Sequence, residues 1–398
     1  MPNETRTEPG RSQEAKIRAA ASGHDQFAAG RGSSRALQDC RIGGSRDQQL
    51  YRAVLRQHRI VGQWSGESGE GMSSVGRLRR EICAGPDATY CSEFRIGGVS
   101  VQLVGQSDDD VTLVPSLEPF RAANPGSNIN IQVEWMENLR PPAGRTLFDS
   151  GSVWKMFEDG AGFQFDFSAP IFGEQPYKRL LVDCKFRRAK LQMSAEAFAG
   201  TEYAIAPLEY PLDELLIMHR LTQEKAIELH SCGIVRPDGT GNLFVGHSGA
   251  GKSTTTRLWT AREDVEVLSD DRIIVRRDEL ETTGERAGGH KVLRQNDKGT
   301  MRMYGTPWHG EAAYASPGSA PLARIFILEH GYGNVITRLS PSQAVGELFA
   351  RSFVPFHRHE YVDSALSFLE RVADTVPCYR YSFEPDERAV ERVLAFRD

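Results

Sequence analysis

The sequence predicts an α/β fold, with a mainly antiparallel β-rich N-terminal domain followed by an α/β domain. From about Phe94 to Leu191, short runs alternate apolar and polar residues and are broken by Gly, Pro, Asn or Asp, a pattern typical of antiparallel strands. Downstream, "GNLFVGHSGAGKSTTTRLW" (241–259) reads in order as an apolar strand, a glycine-rich turn and a helix. We therefore expect an extension over residues 1–90, a β-rich domain over 91–205 and an α/β domain over 206–398.

Residues 1–90 differ from the rest of the chain. Through Arg80 they hold 13 Arg and 1 Lys against 8 acidic residues, with sparse apolar clusters. Such a segment is read as a disordered extension, or as the result of a start placed too early, with Met72 as the true beginning. A transit peptide or a nucleic-acid-binding arm are the alternatives for an arginine-rich stretch.

Composition bounds the class of protein. The chain of 398 residues has a formal net charge of −5 and is 39% hydrophobic, so we expect a soluble protein with no affinity for nucleic acid or anionic membranes. Its N-terminus lacks the apolar core of a signal peptide. The six cysteines show no metal-ligand or disulfide spacing, and together these features predict a cytoplasmic protein.

Local signals place several further elements. "EDGAG" (158–162) joins two alternating runs as a hairpin turn does. "YPLDELLIMHRLTQEKAIELH" (210–230) has the apolar spacing of one helix, with Pro211 at its start. Ser340 and Pro341 begin another helix. "APLARIFIL" (320–328) reads as a strand whose Arg324 is a candidate phosphate contact, with a rim charge as the alternative. Arg351, His357 and His359 are further candidate anion contacts. A helix, a strand and a last helix complete the chain.

The glycine-rich turn matches the phosphate-binding pattern G-x-x-x-x-G-K-[ST] in full at Gly246–Ser253. In such a loop, backbone N–H groups face the phosphates, the lysine neutralises β- and γ-oxygens, and the serine hydroxyl binds Mg²⁺. We therefore expect ATP and Mg²⁺ as ligands. The residues predicted to hold the nucleotide are Gly246, Ser248, Gly249, Ala250, Gly251, Lys252, Ser253 and Thr254.

Two acids follow the loop at short range. "VEVLSDDRIIV" (265–275) is an apolar strand interrupted by Asp270 and Asp271, eighteen residues after Lys252. Beside a triphosphate, one such acid holds Mg²⁺ while the other accepts the proton of an attacking hydroxyl. The alternative is a solvated turn that caps the next element.

"LHSCGIV" (229–235), "LFVGHSGAGKST" (243–254) and "LSDDRIIV" (268–275), in this order, resemble the HPr kinase/phosphorylase family, whose nucleotide-binding fold is shared with phosphoenolpyruvate carboxykinase. The resemblance covers roughly residues 207–275. It implies a P-loop kinase domain that transfers a phosphoryl group from ATP to a serine hydroxyl, and homo-oligomers, since hexamers are usual in that family.

The resemblance also assigns roles to site residues. By position, Asp270 would be the general base, Asp271 would assist Ser253 at the metal, and His230 would lie near the reacting phosphate with Lys252. The ranking of the two aspartates stays open. Without the resemblance, a lone histidine between apolar stretches is more often a core residue.

The acceptor is less well defined. The family's signature of the type L-E-I-R-G-L-G has no equivalent between Ile273 and Leu328, which argues against HPr as the target. In its place, residues 303–331 resemble divergent HPr-kinase-like proteins encoded beside peptide-modification genes, including those that phosphorylate lasso peptides. Within this stretch, "YGTPWHGE" (304–311) predicts a ligand-facing loop with His309 and Glu311 as polar contacts; alternatively, Trp308 fills the core.

Three functions remain open at this stage. The first is a kinase for a serine-type hydroxyl of a peptide, protein or small molecule. The second is a non-catalytic nucleotide sensor or maturation partner, and the third is a carboxykinase-like enzyme. The intact set of Lys252, Ser253, Asp270 and Asp271 favours the kinase.

Overall fold

An eight-stranded mixed sheet forms the N-terminal part of the described chain. The computed structural model describes residues 89–122, 126–160, 162–199, 206–278 and 300–397, so the predicted extension lies almost wholly outside the described residues. The sheet has the order β1-β2-β3-β8-β7-β6-β5-β4. Its strands are β1 Tyr90–Ile96, β2 Val99–Gly105, β3 Ile129–Met136, β4 Thr146–Asp149, β5 Trp154–Asp159, β6 Gly162–Phe167, β7 Lys178–Asp183 and β8 Arg188–Ser194.

The strand pairing is only partly as predicted. The hairpin at 158–162 is confirmed, because Asp159 of β5 pairs with Gly162 of β6 in an antiparallel ladder. However, β3 pairs in parallel with both β2 and β8, while the other neighbours are antiparallel. The sheet is therefore mixed, since β8 returns beside β3 after four intervening strands, a non-local pairing that strand alternation does not reveal.

A second sheet of nine strands occupies the C-terminal part. Within it, β9, β10, β14, β13 and β12 close into a five-stranded barrel, because β10 pairs with both β9 and β14. The strands are β9 Ala226–Val235, β10 Gly241–Val245, β11 Glu266–Ser269, β12 Arg272–Arg277, β13 Met301–Tyr304, β14 Ser319–His330, β15 Val335–Arg338, β16 Ser352–Phe353 and β17 Cys378–Phe383.

Six α-helices lie in the described residues: α1 Ala195–Phe198, α2 Leu212–Leu221, α3 Lys252–Thr260, α4 Pro341–Phe349, α5 His359–Thr375 and α6 Glu387–Ala395. The predicted start of α4 is confirmed, since Ser340 and Gln343 form a reciprocal capping box. The single helix predicted over 210–230 is wrong in its second half. It ends at Leu221, the chain turns with Lys225 at φ 51°, and Ala226 begins the central strand β9.

Three clusters of buried side chains form the core. The first joins the N-terminal sheet to α2 and also takes in Ile274 and Trp308 from the C-terminal part. The second lies between the barrel strands and helices α4 and α5, and the third packs under α3 and α6. The described residues all belong to one compact unit, Glu70–Asp398. Of its described helices, none combines the length and apolarity needed to cross a membrane.

Buried histidines make the stability of this core dependent on pH. His219 of α2 is 2% exposed, its Nδ1 lies 2.6 Å from Leu215 O, and its ring stacks on Phe186. Burial lowers the pKa of His219 to about 3 and that of His357, beside it, to about 4. The unfolded chain, with a histidine pKa of about 6.5, therefore binds more protons below that pH, and stability falls as the solution is acidified.

We expect His219→Phe to reduce this acid sensitivity, because phenylalanine fits the same aromatic cluster and cannot be protonated. Between pH 7.5 and 5.0, the loss of unfolding free energy should shrink by about 2 kcal/mol relative to the parent protein, as 1.5 pH units below 6.5 imply. Urea unfolding at both pH values measures it, with His359→Gln, at an exposed histidine, as control. An unchanged difference would contradict the assignment.

Candidate functional site

The glycine-rich turn forms a loop between β10 and α3, as the sequence predicts. Gly246 to Gly251 make the turn, and Lys252, Ser253 and Thr254 form the first turn of α3. Gly251 has φ 101° and a Cβ there would lie 2.4 Å from Phe383 Cζ, so the position requires glycine twice over. The loop lies at the N-terminus of α3, where unpaired N–H groups and the helix dipole favour an anion.

Hydrogen bonds to the loop backbone fix the positions of Lys252 and Gly249. Lys252 is 6% exposed and its ammonium donates to Gly246 O at 3.0 Å and His247 O at 3.2 Å. On the outer side, His330 Nε2 donates to Gly249 O at 2.6 Å. His330 ends β14, which pairs in parallel with β10, so both strands deliver their C-terminal residues to the same edge.

His230 lies at the centre of the site. Its backbone N–H donates to Arg351 O at 2.8 Å, and its carbonyl accepts from Gly246 N at 3.1 Å. Its imidazole Nε2 lies 2.8 Å from Asp271 Oδ1. Burial lowers the pKa of His230 despite the nearby carboxylate, so the ring is neutral at pH 7 and donates Nε2–H to Asp271.

The two aspartates have different environments. Asp270 is 1% exposed, and its carboxylate accepts three backbone N–H bonds, from Gly310 at 2.9 Å, Ala312 at 2.8 Å and Tyr314 at 3.2 Å. Both carboxylate oxygens are thus taken up by the segment that contains "YGTPWHGE". Asp270 thus holds this segment through its backbone, with both oxygens occupied by N–H donors.

Asp271 is the more accessible acid. Its side chain is 24% exposed, and Oδ1 lies 3.9 Å from the Lys252 ammonium. Burial would raise the pKa of Asp271, but the hydrogen bond from His230 and the charges of Arg272 and Lys252 outweigh it and lower the pKa to about 2. Asp271 is therefore ionised across the physiological range and lies beside the phosphate loop.

Arg272 fixes Asp271 from the other side. Its guanidinium contacts Asp271 Oδ2, donates to Glu214 Oε1 of α2 at 2.9 Å and lies over the Phe353 ring at 4.1 Å. Glu228, 3.5 Å away, is fully buried, and burial together with the charge of Glu214 raises its pKa well above its usual range. The Arg272 guanidinium therefore lies among three carboxyl groups, of which burial disfavours the charged form of Glu228.

The acid-facing loop, defined as residues 305–318, lies across Asp270 and Asp271. A Cβ on Gly310 would lie 2.9 Å from Asp270 Oδ2 and 3.2 Å from Asp271 Cβ, so glycine permits this close approach. Trp308 is 7% exposed and belongs to the first core cluster, which is the alternative the sequence left open for it. His309 and Glu311 are exposed on either side of Gly310.

In addition to the backbone bonds to Asp270, two side-chain bonds hold the first part of the acid-facing loop. Trp308 Nε1 donates to Asp213 Oδ2 at 2.9 Å, and Thr306 Oγ1 donates to Arg272 O at 2.8 Å. Burial raises the pKa of Asp213 to about 7, against the bonds from Trp308 and from the Glu214 N–H. Helix α2 therefore reaches both the loop, through Asp213, and Asp271, through Glu214 and Arg272.

The structure brings together Lys252, His230, Asp270 and Asp271 as the sequence predicts, but other candidates lie elsewhere. Arg324 pairs with Asn242 at the start of β10, the end opposite the phosphate loop. His357 packs on Phe163 and Tyr361. Sequence reasoning missed Asp213, Glu214, Arg272 and His330. The available signal for Arg272 is that it directly follows the acid pair. The other three contact residues that are distant in the sequence, which no local pattern reveals.

Comparison with known proteins gives no match, either to a protein-family model or to a curated protein. Among the described residues, no group of three or more His, Cys, Asp and Glu side chains is arranged to hold a metal ion. The site is therefore assessed from its own geometry.

Replacing each aspartate by alanine should separate their roles. Asp270→Ala leaves three backbone donors without their acceptor and should lower the free energy of unfolding by about 3 kcal/mol. Asp271→Ala should cost about 1 kcal/mol or less, since Arg272 keeps Glu214 and the neutral His230 loses one bond. Urea unfolding of both variants measures the difference. Equal losses would show that Asp270 does not organise the loop.

Proposed function

We propose that this chain is a cytoplasmic, ATP- and Mg²⁺-dependent kinase that transfers a phosphoryl group to a serine-type hydroxyl of a peptide, protein or small molecule. The observation that carries the proposal is the position of Asp271. An ionised, partly exposed carboxylate lies 3.9 Å from the phosphate-loop lysine and 2.8 Å from a neutral histidine. The motif resemblance supports a P-loop kinase domain of the HPr kinase/phosphoenolpyruvate carboxykinase type and a homo-oligomeric enzyme.

The phosphate side is built by residues 246–254. The curled loop and the N-terminus of α3 direct N–H groups towards an anion. Lys252 donates to two loop carbonyls in this structure, and phosphate oxygens would replace these acceptors when ATP binds. Charged acceptors make stronger bonds than carbonyls, so the exchange is favourable.

The residues present fit a magnesium ion. Mg²⁺ is usually bound by one or two carboxylates or hydroxyls together with substrate phosphates and water. Asp271 is ionised and partly exposed, and Ser253, half-buried in the first turn of α3, would be the second protein ligand. When bound, the ion supplies positive charge that neutralises the phosphate oxygens.

On the side of the attacking hydroxyl, the His230–Asp271 pair accepts the proton. At pH 7 the pair carries one proton, on His230 Nε2, and can take one more. As the acceptor oxygen bonds to phosphorus and the bond to ADP breaks, the hydroxyl proton passes to this pair. Asp270 takes no part in this step; it holds the acid-facing loop against Asp271. The base role that the resemblance gives to Asp270 thus passes to its neighbour.

The acceptor is proposed from the resemblance and the charge of the chain. A peptide or protein with an acceptor serine is the favoured partner, with HPr itself disfavoured by the missing signature. The net charge of −5 supports neither nucleic acid nor an anionic membrane as partner.

The test is phosphoryl transfer from γ-labelled ATP with Mg²⁺ to HPr, to peptides encoded near the gene and to free serine. We expect phosphoserine, and a loss of about 100-fold or more in Lys252→Ala, Asp271→Ala and His230→Ala, because each removes charge or proton transfer at the reacting centre. Lys190→Ala, a surface lysine of β8 paired with Glu134, is the matched control and should retain full transfer.

Two other outcomes would redirect the proposal. Tight binding of labelled ATP without transfer to any of the three acceptors would favour a nucleotide sensor. Phosphorylation or decarboxylation of an oxaloacetate-type substrate would favour a carboxykinase-like enzyme.

A further inference from the structure

We infer that Asp213 and Trp308 are positioning residues for the acceptor, through the acid-facing loop (305–318). This inference rests on the proposed kinase function. The buried bond between Trp308 Nε1 and Asp213 Oδ2, at 2.9 Å, holds the loop where Gly310 lies against Asp270 and Asp271.

The side of approach follows from the chemistry of transfer. In phosphoryl transfer, the attacking and leaving oxygens lie roughly in line on opposite sides of phosphorus. Lys252 marks the nucleotide side of Asp271. The acid-facing loop lies against the same acid, since a Cβ on Gly310 would be 3.2 Å from Asp271 Cβ. An acceptor hydroxyl that reaches Asp271 without crossing the nucleotide therefore meets the acid-facing loop.

The exposed side chains of the loop are of the type that recognises a peptide. His309 and Glu311 flank Gly310 and are exposed, and Tyr314 is 37% exposed. An imidazole, a carboxylate and a phenol supply polar contacts and an aromatic surface. These three residues are therefore assigned to contact the acceptor chain around its serine.

Several bonds hold the loop to β11 and the turn after it, including the one from Ser316 N–H to Leu268 O at 2.8 Å. The loop backbone is bound to Asp270 through three N–H groups. Asp270, however, belongs to the same turn as Asp271. Trp308 ties the loop to a separate element, helix α2, where Asp213 is 2% exposed. Both Asp213 oxygens are used, Oδ1 by Glu214 N–H and Oδ2 by Trp308, so Asp213→Ala removes the acceptor of both donors.

The first measurement needs no kinase activity. Amide hydrogen exchange over residues 306–316 should be about tenfold faster in Trp308→Phe than in the parent protein, the effect of one lost buried hydrogen bond, and at least as fast in Asp213→Ala. The double variant should exchange no faster than Asp213→Ala, because that variant already lacks the acceptor of the Trp308 bond. Additive effects, or unchanged exchange, would overturn the inference.

The matched control is a bond of the same type elsewhere. Trp135 Nε1 donates to Asp110 Oδ1 at 2.7 Å in the N-terminal sheet. Trp135→Phe should leave exchange of residues 306–316 unchanged. Thermal unfolding of each variant shows whether it is folded, and Trp308→Phe, which keeps an aromatic ring in the core, remains informative if Asp213→Ala does not fold.

The second measurement addresses the acceptor, with a synthetic peptide library carrying one fixed serine as probe. Trp308→Phe should raise KM for the peptides about tenfold while the Kd for ATP stays within twofold, because one lost hydrogen bond moves the loop and leaves residues 246–254 unchanged. An equal loss of ATP affinity would show a general structural role and overturn the acceptor assignment. If the parent protein transfers nothing, the kinase proposal and the acceptor assignment fail together, whereas exchange still decides the loop's anchor.

Discussion

The ladder of hydrogen bonds around strand β9 is the constraint on which the site depends. Four strands pair with its ten residues: β10, β11, β12 and β16. At His230 and Ser231 these pairings converge, because the backbone there bonds to Gly246 of the phosphate loop, to Arg351 and to Asp271. The relative positions of the lysine loop, the acid pair and the imidazole are thus set by main-chain bonds, which are shared by any sequence that keeps this register.

Positive and negative side chains are paired around the residues that bond to β9. Lys252 and Arg272 lie on two sides of Asp271, and Glu214 offsets Arg272. Burial keeps Glu228 and Asp213 from adding full negative charge, since it raises the pKa of both. Groups fixed in this way need little rearrangement when charge develops nearby, which is the basis of electrostatic preorganisation.

Much of the local structure could be predicted from the sequence, while the side-chain partnerships could not. The capping box at Ser340, the hairpin at 158–162 and the strand–loop–helix unit depend on residues close in the chain. The bond between Trp308 and Asp213 joins residues 95 apart, and that between His330 and Gly249 joins residues 81 apart. By composition, Thr222 to Lys225 favour a continued helix. The helix nevertheless ends before them, because the residues that follow pair with neighbouring strands as β9.

The environments of the two aspartates show the same limit of prediction from sequence. Both aspartates lie in the turn between β11 and β12, so the sequence predicts a pair of acids without telling which one is enclosed and which one is open. The packing of the acid-facing loop decides this, by enclosing Asp270 and leaving Asp271 beside Lys252.

Asp270 holds that loop entirely through peptide N–H groups, and every amino acid except proline provides one. The side chains at 309, 311 and 314 can therefore be exchanged without loosening the anchor, as long as 310 stays glycine and 312 and 314 avoid proline. The backbone contacts that hold the loop are thus separate from the exposed side chains, which can change while the loop keeps its place.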